Sequence, residues 1–252
     1  MGFSVPGRIA PVHKQMTLQE AKLSEGVGWD DELHFNTQAS SQWDSLVHWQ
    51  HQPSGLAYNG IAVTKEALAA PNTAANQMPT LDHWHTAGGL VARGVLIDFK
   101  AWSEAKFRAE GKVGGEATWH PLDGHRITVS EIETVARAQG VDLRPGDVII
   151  IRTGLPEVLQ APTPEDFAKL QKGTIAGLDG NMESVRWLWN SHFAAVASDN
   201  FSVEALPPNM EDGSPGSMTD LCKKLPQPDQ LGNSTSSRKL RAKAVTVRRQ
   251  NY

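Results

Sequence analysis

The chain has 252 residues and a formal net charge of −4, so it is long enough to bury a sizeable core in one domain. This charge and an ordinary charged fraction of 21% argue against specific nucleic-acid binding and favour a small-molecule substrate. Cys222 is the only cysteine, which excludes an intrachain disulfide and favours a cytoplasmic location.

Two signals of membrane association are missing from the sequence. The first residues lack the apolar run of a signal peptide, and no segment approaches the roughly 18 apolar residues of a membrane span. We therefore expect a soluble protein without a membrane partner.

Four polar side chains follow one another at short intervals in the segment 36–49. They are Gln38, Gln42, Asp44 and His48, at spacings of four, two and four. If the segment is an extended strand, all four project from one face, because side chains alternate with period two. A divalent ion held there, beside a histidine that moves protons, would make a hydrolytic centre. Glutamine is a weak neutral ligand, so the residues alone equally fit the solvated end of a strand.

Turn and histidine patterns come next. Tyr58, Asn59 and Gly60 are typical of a hairpin turn, with a substrate contact as the alternative. His83 and His85 would project to one side of a strand, which without a third ligand indicates a polar surface.

The middle of the chain alternates strand and helix signals. Apolar, β-branched runs predict strands at 94–99, 144–154 and 193–199. A helix is predicted at 130–139, starting with a capping box of Ser130 and Glu133, and a second at 181–190. This order predicts a mixed α/β domain.

Two regions near the strands and the C-terminus complete the pattern. His120 and His125 lie in a turn-rich loop, where a structural role is expected, and Arg152 follows a strand, where it meets either a substrate carboxylate or an acidic neighbour. Residues 209–252 are rich in Gly, Pro, Ser and Gln and end in a basic run, which predicts a disordered tail.

The segment QASSQWDSLVH resembles the metal motif His-x-Gly-Thr-His-x-Asp-x-Pro-x-His of the cyclase family, which includes the kynurenine formamidases and isatin-hydrolase-like enzymes. Asp44 and His48 match the motif, whereas Gln38 and Gln42 stand at two of its histidine positions. Successive blocks of the chain also resemble that family: HQPSGLAYNG (51–60), GLVARGVLIDF (89–99), GDVIIIRTG (146–154) and GLDGNMESVRWLWNSHFAAVASDNFSVEALPP (177–208).

The resemblance covers roughly residues 34–208 and implies a fold and an activity. The fold is a swivelling β/β/α domain over 1–208, shortened at both ends. The activity is that of a metal-dependent hydrolase that opens an amide, formamide or cyclic amide bond of a small, often aromatic substrate, as the arylformamidases of tryptophan catabolism do. A homodimer is also implied.

Carried over by position, the resemblance assigns a role to each site residue. Gln38, Gln42 and Asp44 would hold zinc or manganese, while His48 would act as acid and base. Glu183 would stabilise or relay a proton, and the block with Tyr58 and Asn59 would border the substrate pocket.

The departures from the motif leave three outcomes open for the metal. Neutral amides in place of two imidazoles weaken affinity for zinc, so the site could prefer a harder ion, bind metal poorly or have lost it. Without metal, His48 would have to activate a water whose pKa is about 15.7. The alternative to an enzyme is a non-catalytic protein with this fold.

Overall fold

The computed structural model describes residues 9–37, 41–51, 53–111 and 119–207, together with the backbone of Lys243–Ala244. The chain divides into two compact units, Met1–Gln42 and Trp43–Tyr252. Apart from that one pair, the predicted disordered tail lies outside the described residues.

The first unit contains an antiparallel hairpin. Strand β1 (Val12–Thr17) pairs with β2 (Trp29–His34) along the full length of both strands. His13 and Asp31 on neighbouring strands are joined by a 2.8 Å contact between Nε2 and Oδ2.

The second unit alternates helices and strands. Their bounds are α1 Lys65–Leu68, α2 Leu81–Thr86, β3 Gly94–Asp98, α3 Phe99–Ala109, β4 Arg126–Ile127, α4 Val129–Ala138, β5 Val148–Arg152, α5 Leu155–Gln160, α6 Pro164–Lys172, β6 Gly177–Leu178, α7 Met182–Asn190, β7 Ala195–Ser198 and β8 Lys243–Ala244.

A parallel sheet in the order β3-β5-β7-β8 lies at the centre of this unit. Residues paired across neighbouring strands face the same side, so alternate residues of β3 and β5 form one buried apolar layer. Val95, Ile97, Ile149 and Ile151 are each at most 3% exposed. The strands predicted at 94–99, 144–154 and 193–199 are therefore confirmed, and the mixed α/β fold with them.

Helices α4 and α7 cover this layer with their apolar faces. Ile132 and Val135 of α4 and Val185 of α7 are fully buried, and all three belong to the same core cluster as the strand residues. The spacing of three to four residues places them on one side of each helix. The helix predicted at 181–190 is confirmed by α7.

The N-cap of helix α4 lies two residues before the predicted N-cap Ser130. Thr128 is the N-cap, accepting the backbone N–H of Glu131 at 3.2 Å while the Glu131 carboxylate accepts the N–H of Thr128 at 2.8 Å. The prediction of Ser130 with Glu133 was wrong, because both pairs have the same Ser/Thr-x-x-Glu spacing. Burial of Val129 and Ile132 places Ser130 inside the first turn, on the exposed side.

His83 and His85 lie on helix α2, so the strand geometry that would place both on one side does not apply. Residues two apart on a helix point to different sides, so the two imidazoles do not share a face. The helix begins after Thr80, and the carboxylate of Asp82 in its first turn accepts hydrogen bonds from Asn76 and Thr80. These contacts favour a helix start that the His-x-His spacing does not reveal.

Within the described residues, no helix is both long and apolar enough to cross a membrane.

Candidate functional site

A turn brings Asp44 and His48 together. The backbone N–H of His48 donates to the carbonyl of Ser45 at 3.1 Å, and the hydroxyl of Ser45 accepts the N–H of Val47 at 3.4 Å. Nδ1 of His48 consequently lies 3.6 Å from Oδ1 of Asp44. That separation is too long for a hydrogen bond but short enough for a charge interaction.

The described part of 36–49 departs from the extended conformation considered for it, because the chain turns at Leu46 and Val47. Residues 41–45 have no regular structure, and a turn follows at Leu46 and Val47. An extended chain would hold the Cα atoms of Asp44 and His48 about 13 Å apart, at about 3.3 Å per residue. The turn instead brings the two side chains to within 3.6 Å of each other. Asp44 and His48 are therefore paired because the chain reverses between them.

His48 lines a cavity of about 290 Å³. The other lining residues are Trp49, Gln50, His51 and Gly55. His48 is 44% exposed at its side chain and Asp44 is 19% exposed, so the carboxylate is the more protected partner of the pair. A partly buried carboxylate beside a more exposed imidazole can orient that ring.

A compact loop follows the cavity and contains the predicted substrate contacts. The N–H of His51 donates to the carbonyl of Leu56 at 2.9 Å, and the chain then turns again at Tyr58–Gly60. Asn59 adopts a left-handed conformation with φ 59°, as expected in a tight turn. Neither Tyr58 nor Asn59 belongs to the described residues that line the cavity with His48. Their role in substrate binding stays a prediction.

The predicted metal ligands are distributed over both units of the chain. Gln38 lies outside the described residues, Gln42 belongs to the first unit and Asp44 to the second. No group of three or more His, Cys, Asp and Glu side chains converges in the described part of the chain. Protein zinc sites are built from three or four such ligands, and amides are weak substitutes. The described residues therefore do not fit the zinc or manganese centre that the resemblance implies.

Glu183 lies in the first turn of α7. Its side chain is exposed, and Asn181 caps the helix beside it by accepting the N–H of Ser184 at 2.9 Å. A carboxylate at this end of a helix interacts favourably with the helix dipole, which accounts for its position without chemistry. The catalytic role of Glu183 stays a prediction.

Two histidines outside the site bind the acids that cap helices. Nε2 of His120 lies 2.9 Å from Oδ1 of Asp166, while Nδ1 of His120 accepts the N–H of Leu122 at 3.2 Å. Nε2 of His125 lies 3.1 Å from Oε1 of Glu131. Asp166 and Glu131 are the capping-box acids of α6 and α4. The structural role predicted for both histidines is confirmed.

Arg152 is engaged by acidic neighbours. Its Nη1 donates to both carboxylate oxygens of Asp98, at 2.8 and 3.0 Å, and its Nη2 donates to Glu157. Asp98 is its partner in the register of β3 and β5. Of the two alternatives for Arg152, the structure shows the acidic neighbour.

Sequence reasoning did not single out His51. This residue shares the cavity with His48 and is fixed by Ser54, whose Oγ lies 2.9 Å from its Nδ1. The signal was the spacing of two histidines three residues apart, followed by Ser54 and Gly55. The spacing is not specific by itself, because only the loop that closes at Leu56 brings both imidazoles to one cavity.

Comparisons with known proteins agree with this architecture. A family model for cyclases matches residues 7–205. A crystal structure described as a novel cyclase is similar at 25% sequence identity and a TM-score of 0.60, over 80% of this chain and 63% of that chain. The present chain thus spans less than two thirds of the length of that structure.

Two isatin hydrolases share the fold. Isatin hydrolase A from Labrenzia aggregata, bound to benzyl benzoate, is 11% identical with a TM-score of 0.50, over 98% of this chain and 73% of that one. The enzyme from Ralstonia solanacearum is 12% identical with the same TM-score, over 98% and 72% of the two chains. The search of curated proteins found no match. The cyclase family model covers residues 7–205 of the 252 residues, so this chain belongs to the cyclase family.

Proposed function

We propose that this protein is a hydrolase that opens an amide, formamide or cyclic amide bond of a small aromatic substrate, as an arylformamidase does. The observation that carries the proposal is the contact of His48 with Asp44 at the wall of a cavity, in a chain of the cyclase family. The choice of substrate class is supported by two similar structures, which are isatin hydrolases, because isatin is a cyclic aromatic amide.

The size and lining of the cavity support a small planar substrate. Its volume of about 290 Å³ is near the lower end for small-molecule sites, which range from about 300 to 1,000 Å³. The lining includes one aromatic residue, Trp49, and one amide residue, Gln50. Aromatic rings pack against planar groups, and amides both donate and accept hydrogen bonds. These features suit a substrate of one or two rings with one reacting carbonyl.

His48 is the base in the proposed reaction. Its imidazole takes a proton from water, and the oxygen of that water forms a bond to the carbonyl carbon of the substrate. The carboxylate of Asp44, 3.6 Å away, stabilises the imidazolium that results. The carbon–nitrogen bond then breaks, and His48 returns the proton to the departing nitrogen, which yields a carboxylic acid and an amine.

The test is hydrolysis of isatin and of N-formylaniline by the wild-type protein and by His48→Gln and Asp44→Asn. Positioned general bases contribute about 10²- to 10⁴-fold, so we expect kcat to fall by about that factor in His48→Gln. A smaller loss is expected in Asp44→Asn, because the base remains. Absorbance reports the rate, through the free aniline that N-formylaniline releases and through the ring-opened product of isatin, which carries the amine and the carboxylate in one molecule.

His85→Gln is the matched control, because His85 is an exposed histidine on α2. It should hydrolyse both compounds at the wild-type rate. A folded wild-type protein without turnover on either compound would contradict the proposal and favour the non-catalytic alternative. Full activity in His48→Gln would contradict the assignment of the base.

A further inference from the structure

We propose that His51 donates a hydrogen bond from Nε2 to the carbonyl oxygen of the substrate and so stabilises the negative charge that develops there. The inference rests on the proposed function and assigns a second residue to that site. His51 and His48 line the same cavity.

The backbone around His51 is held by a closed set of hydrogen bonds. Its N–H donates to the carbonyl of Leu56 at 2.9 Å, and its own carbonyl accepts the N–H groups of Ser54 at 3.2 Å and Gly55 at 2.8 Å. These bonds fix the main chain at His51, and the contact of Nδ1 with Ser54 holds the ring. Fixed position is the first requirement of a donor that stabilises a transition state.

Ser54 determines which imidazole nitrogen is available to a ligand. Its Oγ lies 2.9 Å from Nδ1 of His51 and also receives the N–H of Leu56 at 3.4 Å. The 2.9 Å contact is compatible with either tautomer of His51, and we propose the one in which the hydroxyl of Ser54 donates to Nδ1. A neutral imidazole that accepts at Nδ1 carries its proton on Nε2, and in the described part of the chain that nitrogen has no protein partner.

The chemistry of the site requires such a donor. Attack on an amide carbonyl places negative charge on its oxygen, and the neutral amides at two motif positions supply weak support for a metal that would polarise it. His48 serves as the base and accepts a proton in the same step. A separate neutral donor in the same cavity therefore divides the two tasks between two imidazoles.

The test compares two substitutions at His51. Removal of one such donor typically lowers kcat by about 10²- to 10³-fold, so His51→Leu should lose that much on isatin while KM changes only a few-fold. His51→Gln keeps an N–H donor and should recover at least about tenfold of the loss. Turnover by the wild-type protein should continue in excess EDTA. His85→Leu is the matched control and should be unaffected.

Ser54→Ala tests the positioning of the ring. It removes the hydrogen bond at Nδ1, so kcat should fall less than in His51→Leu, and thermal unfolding verifies that each variant is folded. An unchanged kcat in His51→Leu would overturn the proposal. Turnover that EDTA abolishes and His51→Leu preserves would also overturn it, since a metal would then polarise the carbonyl.

Nuclear magnetic resonance of ¹⁵N-labelled imidazoles separates this inference from the proposed function. In the free protein, His51 should show the Nε2–H tautomer, and saturating isatin should shift its Nε2 signal. A shift without wild-type turnover would refute the hydrolase and support the His51 contact. No shift at saturation would refute the contact, whatever the activity.

Discussion

At the scale of single residues, Gly55 combines a place in the cavity wall with a left-handed backbone conformation. It lines the cavity with φ +64°, and an added Cβ would meet no atom within 4 Å. The left-handed conformation costs an L-residue about 1–2 kcal/mol, so Gly55→Ala should lower the free energy of unfolding by about that amount. Gly55→Asn should lose less, because asparagine tolerates this conformation. Urea denaturation measures both, and a greater loss for Asn than for Ala would contradict the backbone explanation.

Sequence reasoning predicted the residues of the candidate site better than their arrangement. It paired Asp44 with His48, and the structure brings them within 3.6 Å. It did this with an extended strand, whereas the backbone bond from His48 to Ser45 forms a turn. Segments of this kind carry no strong hydrophobic period, so local hydrogen bonds to a serine decide the conformation. His51 was missed for the same reason.

At the scale of elements, the start of helix α4 distinguishes two overlapping capping signals. Loss of an N-cap hydroxyl costs about 0.5–2 kcal/mol, so Thr128→Ala should reduce the free energy of unfolding by about 1 kcal/mol. Ser130→Ala, two residues later on the exposed side, should change it by less than about 0.5 kcal/mol. Equal losses of unfolding free energy in Thr128→Ala and Ser130→Ala, measured by chemical denaturation, would contradict the assignment of Thr128 as the N-cap.

The strands were predictable because burial leaves a strong pattern in the sequence. Ile149 and Ile151 are buried, and they belong to a run of three isoleucines. Such a short apolar run is typical of a buried strand and too short for a helix. Element boundaries were less predictable, because Thr128 and Ser130 each have a glutamate three residues later. The helix that contains His83 was not predicted, because a spacing of two polar residues does not indicate a helix.

At the scale of the whole molecule, the free energy of unfolding should depend on pH through the carboxyl group of Glu131. Burial raises the pKa of Glu131, but hydrogen bonds from His125 and Thr128 outweigh it and lower the pKa from 4.5 to about 2. A lowered pKa stabilises the folded state fully above the unfolded value, and the stabilisation is lost as pH falls from about 4.5 through about 2. The free energy of unfolding should therefore decrease over this interval.

Urea denaturation at stepped pH checks this prediction. Glu131→Gln should show a flatter dependence between about pH 4.5 and 2 than the wild-type protein. Glu133→Gln, a side chain 45% exposed on the same helix, is the control and should retain the wild-type slope. An identical slope in Glu131→Gln would contradict the assignment. The homodimer implied by the family resemblance stays a prediction at this scale.

The loop that carries His120 and His125 fastens two helices at once. Through Asp166 it holds the beginning of α6, and through Glu131 the beginning of α4. If this loop detached, the capping-box acids of both helices would lose their histidine partners in the same event. The first turns of α4 and α6 would then unfold together. They would form a small cooperative unit made of segments that are not adjacent in sequence.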